Sequence, residues 1–280
     1  MLPEISLGEL RVSRLLVGGN LLSGFSHQSA DRSARMVGYF TVRRIKELLR
    51  RCERNGISGI VARADAFTRA RVDYGAGRYA AAITALGRHM IDDPQGHTGN
   101  AHYYAALAHR KLGQHKESVR ELDLLITTHP QNALVPEAWY QKGESLLLLG
   151  QTDGAVAAFR QLAAQYPGHA RAPEALWRVA QVYEQAGRGA EAAAAYARLA
   201  ATYPDATLAA NARFQAGFVH YLAGNMAAAT QQWASFLTQE TSTPQRARLL
   251  LWLGKAAQAQ GDPAGAREQW RAAVATSPDT

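Results

Sequence analysis

The residues with the types and spacing to do chemistry fall into a few sets, and most lead to no reaction. His89, His97, His102, His109 and His115 crowd one stretch, and imidazole is the commonest transition-metal ligand. No pair forms an HExxH arrangement and no carboxylate set stands at ligand spacing, so they read as surface or packing histidines. Gly18-Gly19-Asn20 could cradle a phosphate, but the rest of a dinucleotide or P-loop pattern is absent. Arg43, Arg44, Lys46, Arg50, Arg51 and Arg54 could meet nucleic-acid phosphates. Glu47 and Glu53 interrupt that run and no aromatic residue is placed to stack on bases, so it reads as a solvated helix face. The lone Cys52 excludes a disulfide framework and a cysteine zinc site. No catalytic residue, metal or cofactor is expected, and no nucleic-acid partner. A binding pattern remains. Tyr103, Tyr140, Trp177, Phe214 and Leu251 recur every 37 residues. Such a ladder could grip an extended peptide or a glycan, or it could pack between neighbouring helices.

The elements that carry this ladder are repeats. Gly77, Gly113, Gly150, Gly187, Gly224 and Gly261 are separated by 36, 37, 37, 37 and 37 residues. Pro94, Pro130, Pro167, Pro204 and Pro278 each follow one of them by 17 residues, and Thr241 takes the remaining place. Small residues stand seven before the glycine (Ala70, Ala106, Gly143, Ala180, Gly217, Gly254) and five after it (Ala82, Ser118, Ala155, Ala192, Ala229, Ala266). Large ones stand nine after it: Leu86, Leu122, Phe159, Tyr196, Trp233 and Trp270. Segments of helical period flank each glycine, for example 173–185 and 190–202. The glycine closes the first helix in a left-handed conformation. The small residues let the two helices cross closely, and proline stops the second helix. One such hairpin cannot bury its apolar face alone, so hairpins must stack.

This pattern closely resembles the tetratricopeptide repeat, which places a small residue, a turn glycine, an alanine, an aromatic and a proline at these offsets. The resemblance implies an all-α right-handed solenoid over about 67–280, with five full repeats and a shortened first one. It implies that the ladder position faces a concave groove that binds a protein or peptide partner. The groove residues would be Tyr103, Tyr140, Glu144, Trp177, Gln181, Phe214, Phe218, Tyr221, Leu251 and Lys255, with Glu137, Gln185 and Asn211 as neighbours. The period departs from the family's usual 34, with the surplus in linkers such as PGHARAPE (167–174). Longer linkers of this kind resemble bacterial envelope repeat arrays, and 247–278 is similar to the superhelical region of soluble lytic transglycosylases. That second resemblance implies an alternative role, as the non-catalytic arm of a peptidoglycan-cleaving enzyme. Those enzymes use a glutamate followed by serine. Glu144-Ser145 matches in type but lies inside a repeat helix without the family's downstream motif, and so reads as a helix-surface position.

Residues 1–66 read differently. Segment 12–18 has the apolar content of a buried strand. Segment 41–55 reads as an amphipathic helix with Ile45, Leu48, Leu49 and Cys52 on one stripe, and 57–62 as a second strand. That order predicts a small, incomplete parallel α/β segment. LGELRVSRLLVGGN (7–20) with ARADAF (62–67) resembles the opening of an aldo-keto reductase-like barrel, and Asp65 falls near that family's catalytic aspartate. A closed barrel needs eight strands, so only a remnant is implied. The chain carries a net charge of +8, read as a solubility feature. Residues 1–66 carry 11 Lys/Arg and 6 Asp/Glu, or +5, and the remainder carries +3. The N-terminus lacks a basic region before an apolar core, and the apolar run 15–22 is short and broken by glycine. No signal peptide and no membrane span are expected, which makes the cytoplasm the default and the envelope the alternative.

Overall fold

The computed structural model describes residues 66–92, 97–238, 240 and 242–277, the strand residues 4–7, 10–13, 16–18 and 59–61, and positions 47, 50, 51 and 54. The chain divides into two units, Met1–Val72 and Asp73–Thr280.

In the first unit, β1 (Glu4–Leu7) and β2 (Leu10–Ser13) form an antiparallel pair with Ile5 opposite Val12. β3 (Leu16–Gly18) pairs in parallel with β4 (Gly59–Val61), with Val17 opposite Ile60. The parallel pairing matches the expected α/β order. The expected strand over 12–18 is instead shared between β2 and β3, because β2 turns back on β1. Glu47, Arg50, Arg51 and Arg54 are helical and exposed, which is the polar face expected of 41–55. Its apolar stripe (Ile45, Leu48, Leu49, Cys52), Gly19, Asn20 and Asp65 lie outside the described residues.

The described residues between 66 and 277 form helices joined by short turns, and from the second onward each helix packs on the next. They are α1 (Ala66–Gly75), α2 (Tyr79–Asp92), α3 (Thr98–Lys111), α4 (His115–Thr128), α5 (Val135–Leu148), α6 (Thr152–Gln165), α7 (Ala172–Gln185), α8 (Gly189–Thr202), α9 (Ala209–Leu222), α10 (Met226–Leu237), α11 (Thr243–Ala259) and α12 (Pro263–Thr276). All six spacing glycines have positive φ, between 71° and 80°. At Gly187 the turn closes with Gly187 N–H donating to Glu184 O at 3.0 Å and Arg188 N–H to Tyr183 O at 2.8 Å. These bonds satisfy the last carbonyls of the first helix. The surplus of the 37-residue period lies where it was expected. In the linker after α6, His169 N–H donates to Tyr166 O and Ala172 N–H to His169 O, and the linkers after α4 and α8 repeat this pair of turns.

The core lies where small residues of one helix meet large residues of its partner. Ala155, Ala192 and Ala229 are fully buried, as are Leu122, Phe159 and Trp233. Leu122 and Tyr196 share a repeat with Ala106 and Ala180, whereas the rings of Phe159, Trp233 and Trp270 lie directly against Gly143, Gly217 and Gly254. A Cβ on Gly143 would lie 2.6 Å from the Phe159 ring, and one on Gly217 would clash with the Trp233 indole.

This separates two kinds of glycine by experiment. A Cβ on Gly187 meets nothing within 4 Å, so Gly187→Ala strains only the backbone, at about 1–2 kcal/mol. Gly217→Ala leaves φ unchanged and costs about 1–3 kcal/mol by overpacking. Trp233→Leu should cost less in the Gly217→Ala background than in the parent, and as much in the Gly187→Ala background as in the parent, read from urea unfolding midpoints.

Candidate functional site

The first helices of the repeats, α3, α5, α7, α9 and α11, lie along one face, where side-chain bonds link α3 to α5, α5 to α7 and α9 to α11. Tyr140 Oη donates to Glu174 Oε1 at 2.7 Å, Arg171 Nε to Glu137 Oε2 at 3.2 Å and Arg178 Nε to Glu144 Oε1 at 2.7 Å. Arg110 donates to Gln141, and Arg248 Nη1 donates to Asn211 Oδ1 at 3.2 Å. The face is thus bonded across three of its four junctions rather than being a set of loose side chains.

The ladder residues divide by burial. Tyr103, Tyr140 and Phe214 are 5–8% exposed and offer little area to a partner. Each lies over the second helix of its own repeat, as in Tyr140–Phe159 at 5.5 Å and Phe214–Trp233 at 6.0 Å. Trp177 packs edge-on against Tyr196 at 4.9 Å but stays half-buried. It lines a cleft of about 710 Å³ with Pro173, Gln181, Asp205, Thr207 and Leu208. Leu251 departs from the others and is 42% exposed. Its neighbour Trp252 enters the ring cluster instead, because Phe214, Phe218 and Tyr221 present edges and faces for an indole. Leu251 is tied through its carbonyl, which accepts from Trp270 Nε1 at 3.1 Å.

One row remains half-exposed on successive first helices: Glu144, Gln181, Phe218 and Lys255. Glu144 holds Arg178, whose Nη1 also donates to Gln181 Oε1 at 3.1 Å. Phe218 stacks near Phe214 at 5.3 Å and Tyr221 at 6.4 Å. Trp252 stands edge-on to Phe218 at 5.0 Å and to Tyr221 at 5.3 Å. The Lys255 ammonium lies 4.0 Å from the Trp252 ring centre, and the Arg248 guanidinium 3.6 Å from that of Phe214. Burial draws the Arg248 pKa down from its ordinary value. The sequence reading missed Trp252 and Arg248. An aromatic one position past the ladder, and an arginine one turn before Trp252, were the available signals.

Other sequence candidates have structural partners. Ser145 is fully buried and its hydroxyl pairs with that of Ser118 at 3.1 Å. Buried Glu121 meets His102 Nδ1 at 2.7 Å, and His109 Nδ1 meets Gln114 Oε1 at 2.7 Å. Among the described residues no group of three or more His, Cys, Asp or Glu is arranged to hold a metal ion. No helix among them is long and apolar enough to cross a membrane.

Burial pushes the phenols of Tyr103, Tyr140 and Tyr196 above their ordinary value of 10.0. The carboxylates that accept from Tyr140 and Tyr196 (Glu174 and Glu184) push those two further. The neutral phenol is favoured in the fold, so its contribution is complete below pH 10 and is lost as pH rises through the folded values. Tm should therefore be level to about pH 10 and fall beyond it, and Tyr196→Phe should fall less steeply. At Glu174, burial opposes ionisation, but hydrogen bonds from Arg171 and Tyr140 outweigh it and hold its pKa below the ordinary value. Its contribution is present above about pH 4 and is lost as pH falls through the lowered value.

Fold and site together define a stacked helical-hairpin scaffold in which first helices present a continuous face. A family model described as tetratricopeptide repeat matches residues 67–133, 131–170 and 140–207, and a second with the same description matches 248–280. The chain belongs to the tetratricopeptide-repeat family. Among solved structures, the C-terminal part of a TPR repeat-containing protein from Cytophaga hutchinsonii is 13% identical. The match covers 75% of this chain and 78% of that one, with a TM-score of 0.50. YrrB, described as a TPR protein with an unusual peptide-binding site, is 16% identical over 74% of this chain and 90% of its own, with a TM-score of 0.45. Pseudomonas aeruginosa pilF is 14% identical over 77% and 91%, also at 0.45. These likenesses concern the fold alone. No curated protein matches the chain. Neither the lytic transglycosylase nor the aldo-keto reductase resemblance is shown by the comparisons.

Proposed function

We propose that residues 67–280 form a non-enzymatic scaffold that binds a protein or peptide segment along the face of the first helices. The observation that carries this reading is the row Glu144, Gln181, Phe218 and Lys255. One side chain on each of α5, α7, α9 and α11 is held by its neighbours yet left half-exposed. A bonded, pre-ordered row lowers the ordering cost of binding. Its chemistry changes along the array from acid to amide to ring to cation, which allows selection among peptides. The buried rings beneath supply rigidity rather than contact area. The face needs no metal or cofactor for this role, and the cytoplasm suits it, with the envelope as the alternative raised by the long linkers.

The test uses peptides selected on the whole chain from a displayed random library. Their affinity should fall about ten-fold or more in Gln181→Ala/Phe218→Ala, with helicity and Tm of the unbound protein retained. Selected peptides that bind this variant as well as the parent would place recognition elsewhere. A library that yields no binder above background would remove the reading altogether.

A further inference from the structure

The two ends of the first-helix face differ in charge. Around α5 and α7 the cations are neutralised. Arg171 pairs with Glu137 and Glu174, and Arg178 pairs with Glu144. Around α9 and α11, among the described residues, only Arg213 is neutralised. Between Asp205 and Asp262 the sequence holds a single acidic residue, Glu240. Glu240 is buried and engaged by Arg213 at 2.9 Å. Arg246 Nη1 is engaged by the carbonyls of Leu237 and Glu240, both at 2.8 Å. Arg248 and Lys255 remain, and neither has a carboxylate partner among the described residues. Each is held against a ring, Arg248 on Phe214 and Lys255 on Trp252. Beside them Phe218, Tyr221 and Trp252 are half-exposed. A cation fixed on an apolar surface attracts an anion more strongly than one in open water.

We propose that the α9–α11 end of the face seats an acidic peptide segment. Its carboxylates meet Arg248 and Lys255, and an apolar side chain between them lies on Phe218, Tyr221 and Trp252. Arg248 and Lys255 are seven residues apart on one helix, a rise of about 10.5 Å. Three residues of polyproline-II chain nearly match this (about 9.3 Å) while bringing positions i and i+3 to one face, so the two carboxylates stand three positions apart. This rests on the peptide-scaffold reading and adds the partner's chemistry to it.

The probe is a terminally blocked heptapeptide with two glutamates three positions apart and a leucine between them. It is titrated into the full chain at low salt and followed by tryptophan fluorescence and calorimetry. The glutamine and lysine versions should bind about ten-fold or more weakly, and the glutamate peptide should weaken as salt is raised. Arg248→Gln/Lys255→Gln should abolish the preference for glutamate over glutamine, and Arg248→Lys/Lys255→Arg should restore it. Equal affinity for the glutamate and glutamine peptides would overturn the proposal, as would a preference unchanged in the double glutamine variant. Library-selected peptides that depend on Gln181 and Phe218, with no binding of the glutamate probe, would overturn this inference and leave the scaffold reading in place. Failure of both would remove both.

Discussion

Trp233→Ala is expected to destabilise the array by about 3–5 kcal/mol. Trp233 is fully buried, and its Nε1 donates to Phe214 O at 2.9 Å. The indole lies over Gly217, which has no side chain to hold it off. It is 6.0 Å from the rings of Phe214, Tyr221 and Trp252, so it joins α10 to α9 of its own repeat and to α11 of the next. Truncation leaves a void lined by rigid rings that cannot collapse into it. Trp233→Phe keeps a ring on Phe214 and loses the hydrogen bond, at about 1–2 kcal/mol. Trp270 occupies the same register in the last described hairpin but is only half-buried, so Trp270→Ala should cost less than Trp233→Ala. In a stacked array the loss is local, and hydrogen exchange should show α9–α11 opening before α5–α7. A parent-like melt for Trp233→Ala would mean that this crossing does not anchor the C-terminal repeats.

What the sequence revealed follows from how steeply each position is constrained. The six turn glycines were readable because positive φ excludes almost every other residue. The small positions were readable because helix axes cannot approach past a large side chain. The approach of the Phe159, Trp233 and Trp270 rings to glycine is also written in the spacing when the two columns are read together. Size alone does not set it, since Tyr196, no smaller than Phe159, shares its repeat with Ala180. The exchange of Leu251 for Trp252 was not readable. Adjacent residues on a helix point about 100° apart, and a repeat phase alone does not say which of two large neighbours will turn inward. The cross-links between first helices left a signal that went unused. Tyr140 with Glu174, Arg171 with Glu137 and Arg178 with Glu144 are each separated by 34 residues, one period less one helical turn. Complementary pairs at that separation mark the face along which successive first helices meet.

Glu240→Ala is expected to cost about 2–4 kcal/mol, because it leaves the partly buried Arg213 guanidinium without its carboxylate. Glu240 stands beside position 241, where threonine replaces the repeating proline. After α4, α6 and α8 a proline stops the chain from continuing as helix. After α10 this work falls to an ionic clasp. Glu240 Oε2 accepts from Arg213 Nη1 at 2.9 Å and Oε1 from Ser242 N–H at 2.9 Å. The Glu240 carbonyl accepts from Arg246 Nη1 at 2.8 Å, and Arg213 Nη2 reaches Pro204 O at 3.3 Å. The clasp therefore ties α9, the linker after α8, the end of α10 and the start of α11. Glu240→Gln keeps an acceptor for Ser242 but removes the charge, so it should fall between the parent and the alanine variant. Arg213→Met/Glu240→Leu removes both charges and replaces them with apolar volume, and should lie within about 1 kcal/mol of the parent. A double-mutant cycle on unfolding free energies should thus show strong coupling between the two sites. If Glu240→Ala alone behaves like a surface substitution, within about 0.5 kcal/mol, the clasp does not hold the linker. The acid-free character of the α9–α11 stretch would then have to be judged without Glu240 as a structural exception. If the coupling is found, its one carboxylate belongs to the fold, and the charge left for a partner is that of Arg248 and Lys255.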